Sequence, residues 1–236
     1  MCTDARCVIV ADGITRTKGA DGSYPDPSPS ATAAQIFCHA VQRAILERSG
    51  ISSLDDLRAV VTEGNAAIHR FNQEILPHPD FAERDRAGVA AVVGAFHDDE
   101  LLIASIADCW SLGFSSGEAR RFAWEKTSHS RPEYNRLGEP RARELLRNRV
   151  DHPFAYGAFT GEPASLAFVE YNRIAVPDVR RVIFASDGLL RVAQEKPEPL
   201  ERLSGPEIIK VGRLLDHTYN ETDDKTIVIL DRMIES

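Results

Sequence analysis

Val8-Ile9-Val10-Ala11-Asp12-Gly13, near the start of the chain, and Val182-Ile183-Phe184-Ala185-Ser186-Asp187-Gly188, in its last quarter, each carry a hydrophobic run into an Asp-Gly pair. A third stretch, Asp223-Asp224-Lys225-Thr226-Ile227-Val228-Ile229-Leu230, reverses the order, with an Asp pair leading into the run. Short apolar runs rich in β-branched residues read as buried strands. A carboxylate at the tip of a buried strand is held still. Taken singly, each Asp-Gly is a plain tight turn, because Asp and Gly are favoured turn residues. Taken together, the three stretches would gather carboxylates from distant parts of the chain at one sheet edge. Such an all-oxygen donor set suits Mg²⁺ or Mn²⁺.

Outward from these strands, the rest of the chain reads as strands and helices kept apart. Residues 6–11 form the first buried strand, and a polar loop rich in Gly and Pro follows from Thr15 to Pro29. A helix capped by Ser28 or Ser30 has an apolar stripe of Ala33, Phe37, Val41, Ala44 and Ile45. A second helix starts after Ser53, with Asp55 and Asp56 in its first turn. Its buried face is Leu57, Val61, Gly64, Ile68, Phe71 and Ile75. Gly88–His97 and Leu101–Asp108 read as a hairpin turning at Asp98-Asp99, with Trp110–Phe114 and Arg121–Trp124 continuing the meander. Leu166–Val176, Arg180–Ser186 and Thr226–Leu230 are further strands. Ser204-Gly205-Pro206-Glu207 is a capping box opening a helix through Leu215. Hairpin-linked strands with segregated helices imply antiparallel sheets rather than an alternating doubly wound sheet.

With 236 residues, the chain suits one large domain, expected here over 1–236. Its charge balance is 28 − 36 = −8, which argues against a broad basic face for nucleic acid. The same acid excess repels phosphoryl groups unless metal ions or local arginines overcome it. Cys2, Cys7, Cys38 and Cys109 show no paired metal-ligand spacing, so reduced thiols in a cytoplasmic protein are expected. No apolar run approaches the roughly 18 residues of a membrane span, and the N-terminus has no signal-peptide layout.

The order and wording of the blocks resemble the metal-dependent serine/threonine protein phosphatases, the PPM or type 2C family, in a compact bacterial-style form. The resemblance rests on Val10-Ala11-Asp12-Gly13 and on Gly88–Val93 followed by a strand into Ile106-Ala107-Asp108-Cys109. It rests equally on Ala185-Ser186-Asp187-Gly188-Leu189 and on Thr222-Asp223-Asp224-Lys225-Thr226-Ile227-Val228, with Asp224 where the family has Asn. It implies an α+β fold, a four-layer α-β-β-α sandwich of two antiparallel sheets flanked by helices. It also implies Mn²⁺ or Mg²⁺ as cofactor, two ions with a third in some members, and a phosphorylated protein as substrate. By position, Asp12 would bridge both ions and the carbonyl of Gly13 would bind one. Asp187 and Asp223 would bind the other, with Asp108 beside them for a third, weaker ion. The expected reaction is hydrolysis of phosphoserine or phosphothreonine by water activated between the ions, with no protein nucleophile, no nucleic acid and no membrane involved.

The chain departs from that pattern in two places. Only Met1–Arg6 precede the first strand, where the family has an edge strand with a phosphate-binding arginine, and Cys2-Thr3-Asp4-Ala5 is a remnant at most. After Asp12-Gly13 stands Ile14-Thr15-Arg16, so Arg16 is either a substitute phosphate anchor or a plain surface arginine. Residues 125–153 take the place of the family's flap. Their arginines (131, 136, 141, 143, 147 and 149) serve either phosphopeptide recognition or a solvated face around one short helix in a mobile segment. A cysteine phosphatase would need Arg six positions after its nucleophile, but Val8, Gly13, Ala44 and Ser115 occupy those places. Against the enzyme stands a pseudophosphatase, the same fold serving as a binding module. An unrelated metal-dependent hydrolase using the same acids is the third reading.

Overall fold

Strand parity explains the layering of this molecule. The computed structural model describes residues 2–3, 6–14, 28–79, 81, 85–115, 118–195, 198–219 and 225–231. In β2 (Cys7–Ile14), Cys7 and Ile9 face one core while Val8 and Val10 face another. In β3 (Gly88–His97), Val89, Ala91, Val93 and Ala95 join the first core and Ala90 and Val92 the second. In β4 (Glu100–Ile106), Leu102, Ala104 and Ile106 alternate in the same way with Leu101 and Ile103. Successive side chains of a strand point to opposite faces, so a strand apolar at every position must be covered on both sides.

Two antiparallel sheets result. One has the order β1-β2-β3-β4-β7, where β1 is Cys2–Thr3 and β7 is Glu170–Ala175. The other has the order β6-β5-β8-β9, formed by Glu118–Ala123, Trp110–Ser115, Arg181–Ala185 and Ile227–Asp231. All strand pairs are antiparallel. Helices α1 (Pro29–Glu47) and α2 (Leu54–Ile75) cover the outer face of the first sheet. Beyond α3 (Arg131–Leu137) and α4 (Glu139–Leu146), the short α5 (Leu190–Glu195) and α6 (Glu198–Arg202) lead to α7 (Gly205–Tyr219). Leu189, Val192, Leu200 and Ile208 from this region pack on the outer face of the second sheet. The four-layer α-β-β-α sandwich is therefore present, with three hydrophobic layers between its four tiers.

The local signals held at α2 and α7, whereas Ser28 stands at the N-cap of α1 without a side-chain capping bond. Ser53 accepts a hydrogen bond from the Asp56 amide at the start of α2. At α7 the Ser204 amide and hydroxyl both donate to Glu207, closing the capping box. Gly64 lets α1 and α2 touch, because a Cβ there would lie 2.6 Å from the Phe37 ring. Several expectations need correction. Ile75 is 46% exposed, since α2 outruns the sheet beneath it. Leu166–Val176 is not one strand: a 3-10 turn over Pro163–Phe168 precedes β7. The edge strand is not lost altogether, because Cys2–Thr3 pair with Val8 and Ile9. The meander does not stay in one sheet either: β4 ends at Ile106 and β5 begins in the other sheet at Trp110.

Residues 125–153 also differ from the single short helix expected. They form a 3-10 turn, then α3 (Arg131–Leu137) and α4 (Glu139–Leu146), separated by Gly138 at φ +78°. The reason is a buried ion cluster. Asp85, just before β3, accepts from Arg147 at 2.9 and 2.6 Å and from Arg143 at 3.4 Å. These three side chains are at most 4% exposed. A charge buried this deeply must be matched or it is costly, so the arginines bind α4 to the entry of β3.

Asparagines complete the scaffold. Asn72 of α2 donates to the carbonyls of Ala87 and Thr160, at 2.8 and 2.9 Å, and accepts from the Ala87 amide at 2.8 Å. Asn65 accepts from the Gly161 amide, and Asn148 holds Ala158 and Thr160. Asn72→Ala should therefore lower stability by about 2–3 kcal/mol in a urea titration, because it strands buried backbone groups. Burial opposes the Glu162 carboxylate, yet hydrogen bonds from Asn148 and Thr160 and the charges of Arg147 and Arg86 hold it below the ordinary glutamate range. A depressed acid stabilises the fold above its unfolded pKa and loses that contribution as pH falls through the folded value. Glu162→Gln should accordingly flatten the acid side of a melting-temperature profile. Gly13 lies against α1, where a Cβ would sit 2.6 Å from the Ser30 carbonyl carbon and 2.8 Å from the Ala31 amide. Backbone cannot swing aside as a side-chain tip can, so Gly13→Ala should cost about 2 kcal/mol by the same titration.

Candidate active site

Register brings Asp12, Asp108 and Asp187 to one end of the sandwich. Asp12 pairs with Ala90 near the C-terminal end of β2, where β3 begins. It continues the parity of Val8 and Val10, so it shares the face between the two sheets. β4 runs back to the same end, with Ile106 opposite Ala91, and Asp108 follows directly. Trp110 opens β5 opposite Ala185, the last residue of β8, and Asp187 stands two positions beyond it. Ile227, which opens β9, also pairs with Ala185. Three strand ends from one sheet and three from the other thus meet at a single edge.

The backbone around the acids is fixed by specific bonds. Between the sheets the chain turns at Ala107, a non-glycine residue at φ +62°, which costs on the order of 1 kcal/mol or more. The Lys126 amide donates to the Ala107 carbonyl at 3.1 Å and braces that turn. The Lys126 ammonium donates to the Ser105 carbonyl and hydroxyl and pairs with Glu170 at 2.8 Å. The fully buried Trp110 indole donates to the Ser186 carbonyl at 3.0 Å, holding the peptide before Asp187. The Ser186 amide donates to Thr226, and the Thr226 amide donates to the Ser186 hydroxyl, both at 3.1 Å. Thr226 is thereby tied beside Asp187.

Asp12, Asp108 and Asp187 share an electrostatic neighbourhood. The Cys109 thiol is fully buried and pushed well above its ordinary range, first by burial and then by Asp108, Asp12 and Asp187. Cys109 is thus a protonated core thiol rather than a nucleophile. Among the described residues, no group of three or more His, Cys, Asp and Glu side chains closes into a metal-holding cluster. Asp223 and its neighbour Asp224 lie outside the described residues, as does Arg16. In kind, the acids present fit a hard divalent cation, being carboxylates on braced backbone next to a strand-end carbonyl at Gly13.

Beside Asp108 opens a cavity of about 330 Å³. Ile14 and Ala107 line its sheet side, and Arg131, Tyr134 and Tyr156 its helical side. Two cavities of about 550 Å³ each lie elsewhere, and neither includes Asp12, Asp108 or Asp187. Tyr134 and Tyr156 were not visible as site residues in the sequence, since neither sits in a block with a chemical pattern. Asp85 was missed because the groups it binds lie about 60 positions away. Residues 156–162 run back to β3, where Val89 and Phe159 exchange backbone hydrogen bonds at 2.9 Å.

No family profile matches this chain, and no curated protein matches it in sequence. Similarity appears in three dimensions. The catalytic domain of the serine/threonine protein phosphatase PstP, in complex with two manganese ions, superposes with a TM-score of 0.65 at 20% identity, over 98% of this chain and 89% of that one. The Mycobacterium tuberculosis phosphatase PstP/Ppp gives 0.63 at 21% identity with the same coverage. Stp1 from Staphylococcus aureus gives 0.63 at 13% identity, over 97% and 84% of the two chains. The fold is therefore that of the bacterial serine/threonine phosphatases.

Proposed function

We propose that the chain is a metal-dependent hydrolase of phosphoserine and phosphothreonine esters on proteins. The carrying observation is the meeting of Asp12, Asp108 and Asp187 at one end of a sandwich that has the fold of a phosphatase domain holding two manganese ions. Asp12 and the Gly13 carbonyl would hold one ion, and Asp12, Asp187 and Asp223 the other, with Asp108 for a third. When bound, Mn²⁺ or Mg²⁺ ions in such a site supply an acidified water and neutralise charge on the phosphoryl group.

The chain's own groups would do the positioning. Three like charges on separate strands resist approach, and the bonds from Trp110, Lys126 and Thr226 keep the acid-bearing backbone in place. Ordered placement lets the acids bind cations without rearrangement of the strands, and preorganisation of this kind is where such catalysis draws its advantage. Cys109, fully buried beside Asp108, packs in the core as an inert apolar group. The described residues include no helix long and apolar enough to cross a membrane.

Calorimetric titration with Mn²⁺, followed by p-nitrophenyl phosphate hydrolysis, tests the reading. Two ions bound with metal-dependent turnover support it. Binding without turnover would favour the pseudophosphatase, and no binding would remove the centre. Asp187→Asn should lower metal-dependent turnover by on the order of 100-fold or more. Its urea midpoint should stay within error of the parent, because a strand-end position accepts an isostere. Unchanged turnover would take Asp187 out of the site.

A further inference from the structure

Six arginines lie in the segment 125–153, and five of them are engaged. Arg136 pairs with Glu133, Arg141 with Glu144, and Arg143 and Arg147 with Asp85, while Arg149 donates to the Glu144 carbonyl. The Arg131 side chain makes no hydrogen bond or ion pair with any described residue, yet it lines the same cavity as Asp108. Among the described residues lining that cavity it is the one cation. A guanidinium forks onto carboxylate or phosphate oxygens with two parallel bonds.

The wall carrying Arg131 is also held in position. Arg143, whose charge bears on the Tyr134 phenol, is itself fixed by Asp85 and by Glu139 at 2.7 Å. Burial pushes the Tyr156 phenol upward, so this second ring stays neutral against Tyr134, 6.1 Å away between centroids. The Asp85 cluster joins the wall to the start of β3, and Gly88 of β3 pairs with Ile14 of the opposite wall. Both sides of the cavity are therefore built on one scaffold. Its volume of about 330 Å³ equals that of about ten waters, more than a single phosphoryl group requires.

We propose that Arg131 and its cavity receive an anionic group of the substrate, opposite the acids that hold the metal. This rests on the phosphatase reading above. The anion is an oxyanion from one of two sources: the phosphoryl group being released, or an acidic side chain next to it in the polypeptide.

The test compares the parent with Arg131→Ala and Arg131→Lys on three substrates: p-nitrophenyl phosphate, a phosphoserine peptide with neutral flanks and one with acidic flanks. Fluorescence anisotropy of the labelled acidic-flank peptide reads binding independently of turnover. Arg131→Ala should raise KM and Kd roughly tenfold, with a much smaller change in kcat, and Arg131→Lys should recover part of the loss. A rise on all three substrates identifies the phosphoryl group, and a rise on the acidic-flank peptide alone identifies the flanking acid. KM and Kd equal to the parent on all three overturn the assignment, as does a fall in kcat with Kd unchanged. If the parent binds the peptide but lacks turnover, the phosphatase reading fails and anisotropy still decides on Arg131. If the parent does not bind the peptide at all, the cavity assignment fails as well.

Discussion

Carboxylates repel one another, and the fold has to overcome that repulsion before any cation arrives. Here it does so with backbone. Asp12 is held within a strand paired along its whole length with β3, and Asp108 follows a strained turn braced by Lys126. Asp187 follows a peptide gripped by Trp110 and Thr226. None of these bonds touches the acids' oxygens. Their energy comes from the sandwich interior, where every ladder bond and every buried valine also supports the fold. Stability and site geometry are thus coupled, and loosening the strand ends would release the acids.

The crossing between the sheets at Ala107–Cys109 is the point where that coupling is tightest. A hairpin meander has no reason to leave its sheet. This chain leaves because Leu102, Ala104 and Ile106 belong to the helix-facing core, whereas Trp110 and Leu112 belong to the core on the far side of the other sheet. The turn that accomplishes the switch carries a left-handed alanine and a buried cysteine, both small enough to fit between the layers. Asp108 sits on this turn, so its position follows from the layer change itself.

Much of this was legible from residue patterns. The apolar stripe of α1, the caps of α2 and α7 and the Asp98-Asp99 hairpin are local features, and local physics decided them. The convergence of Asp12 and Asp187 followed from their strand-end blocks once antiparallel pairing was granted, whereas Asp108 came from the family resemblance. What escaped was set by distant partners. The layer switch after Ile106 depends on which core each strand completes, which no window around Asp108 reveals. The Asn65 and Asn72 side chains look like ordinary polar helix residues until the loop at 160–162 arrives to use them. Arg143 and Arg147 read as members of a solvated charge run because Asp85 is far away in sequence.

That last case also explains why a charged cluster stands where apolar residues could have packed. A buried ion pair seldom outperforms well-packed hydrophobic side chains in stability. Its strength is geometric: a bidentate guanidinium admits one orientation of its partner, whereas leucines admit several. Arg147 meets both oxygens of Asp85, and Arg143 reaches the same carboxylate. The Nε atoms of both arginines are left without partners, a cost that packing for stability alone would not carry. The arrangement fixes one register between α4 and the entry to β3. It thereby fixes the distance between the helical wall of the cavity and the strand that pairs with Asp12. A segment that was merely a mobile cover would not require that precision, whereas the anion-binding wall proposed above would.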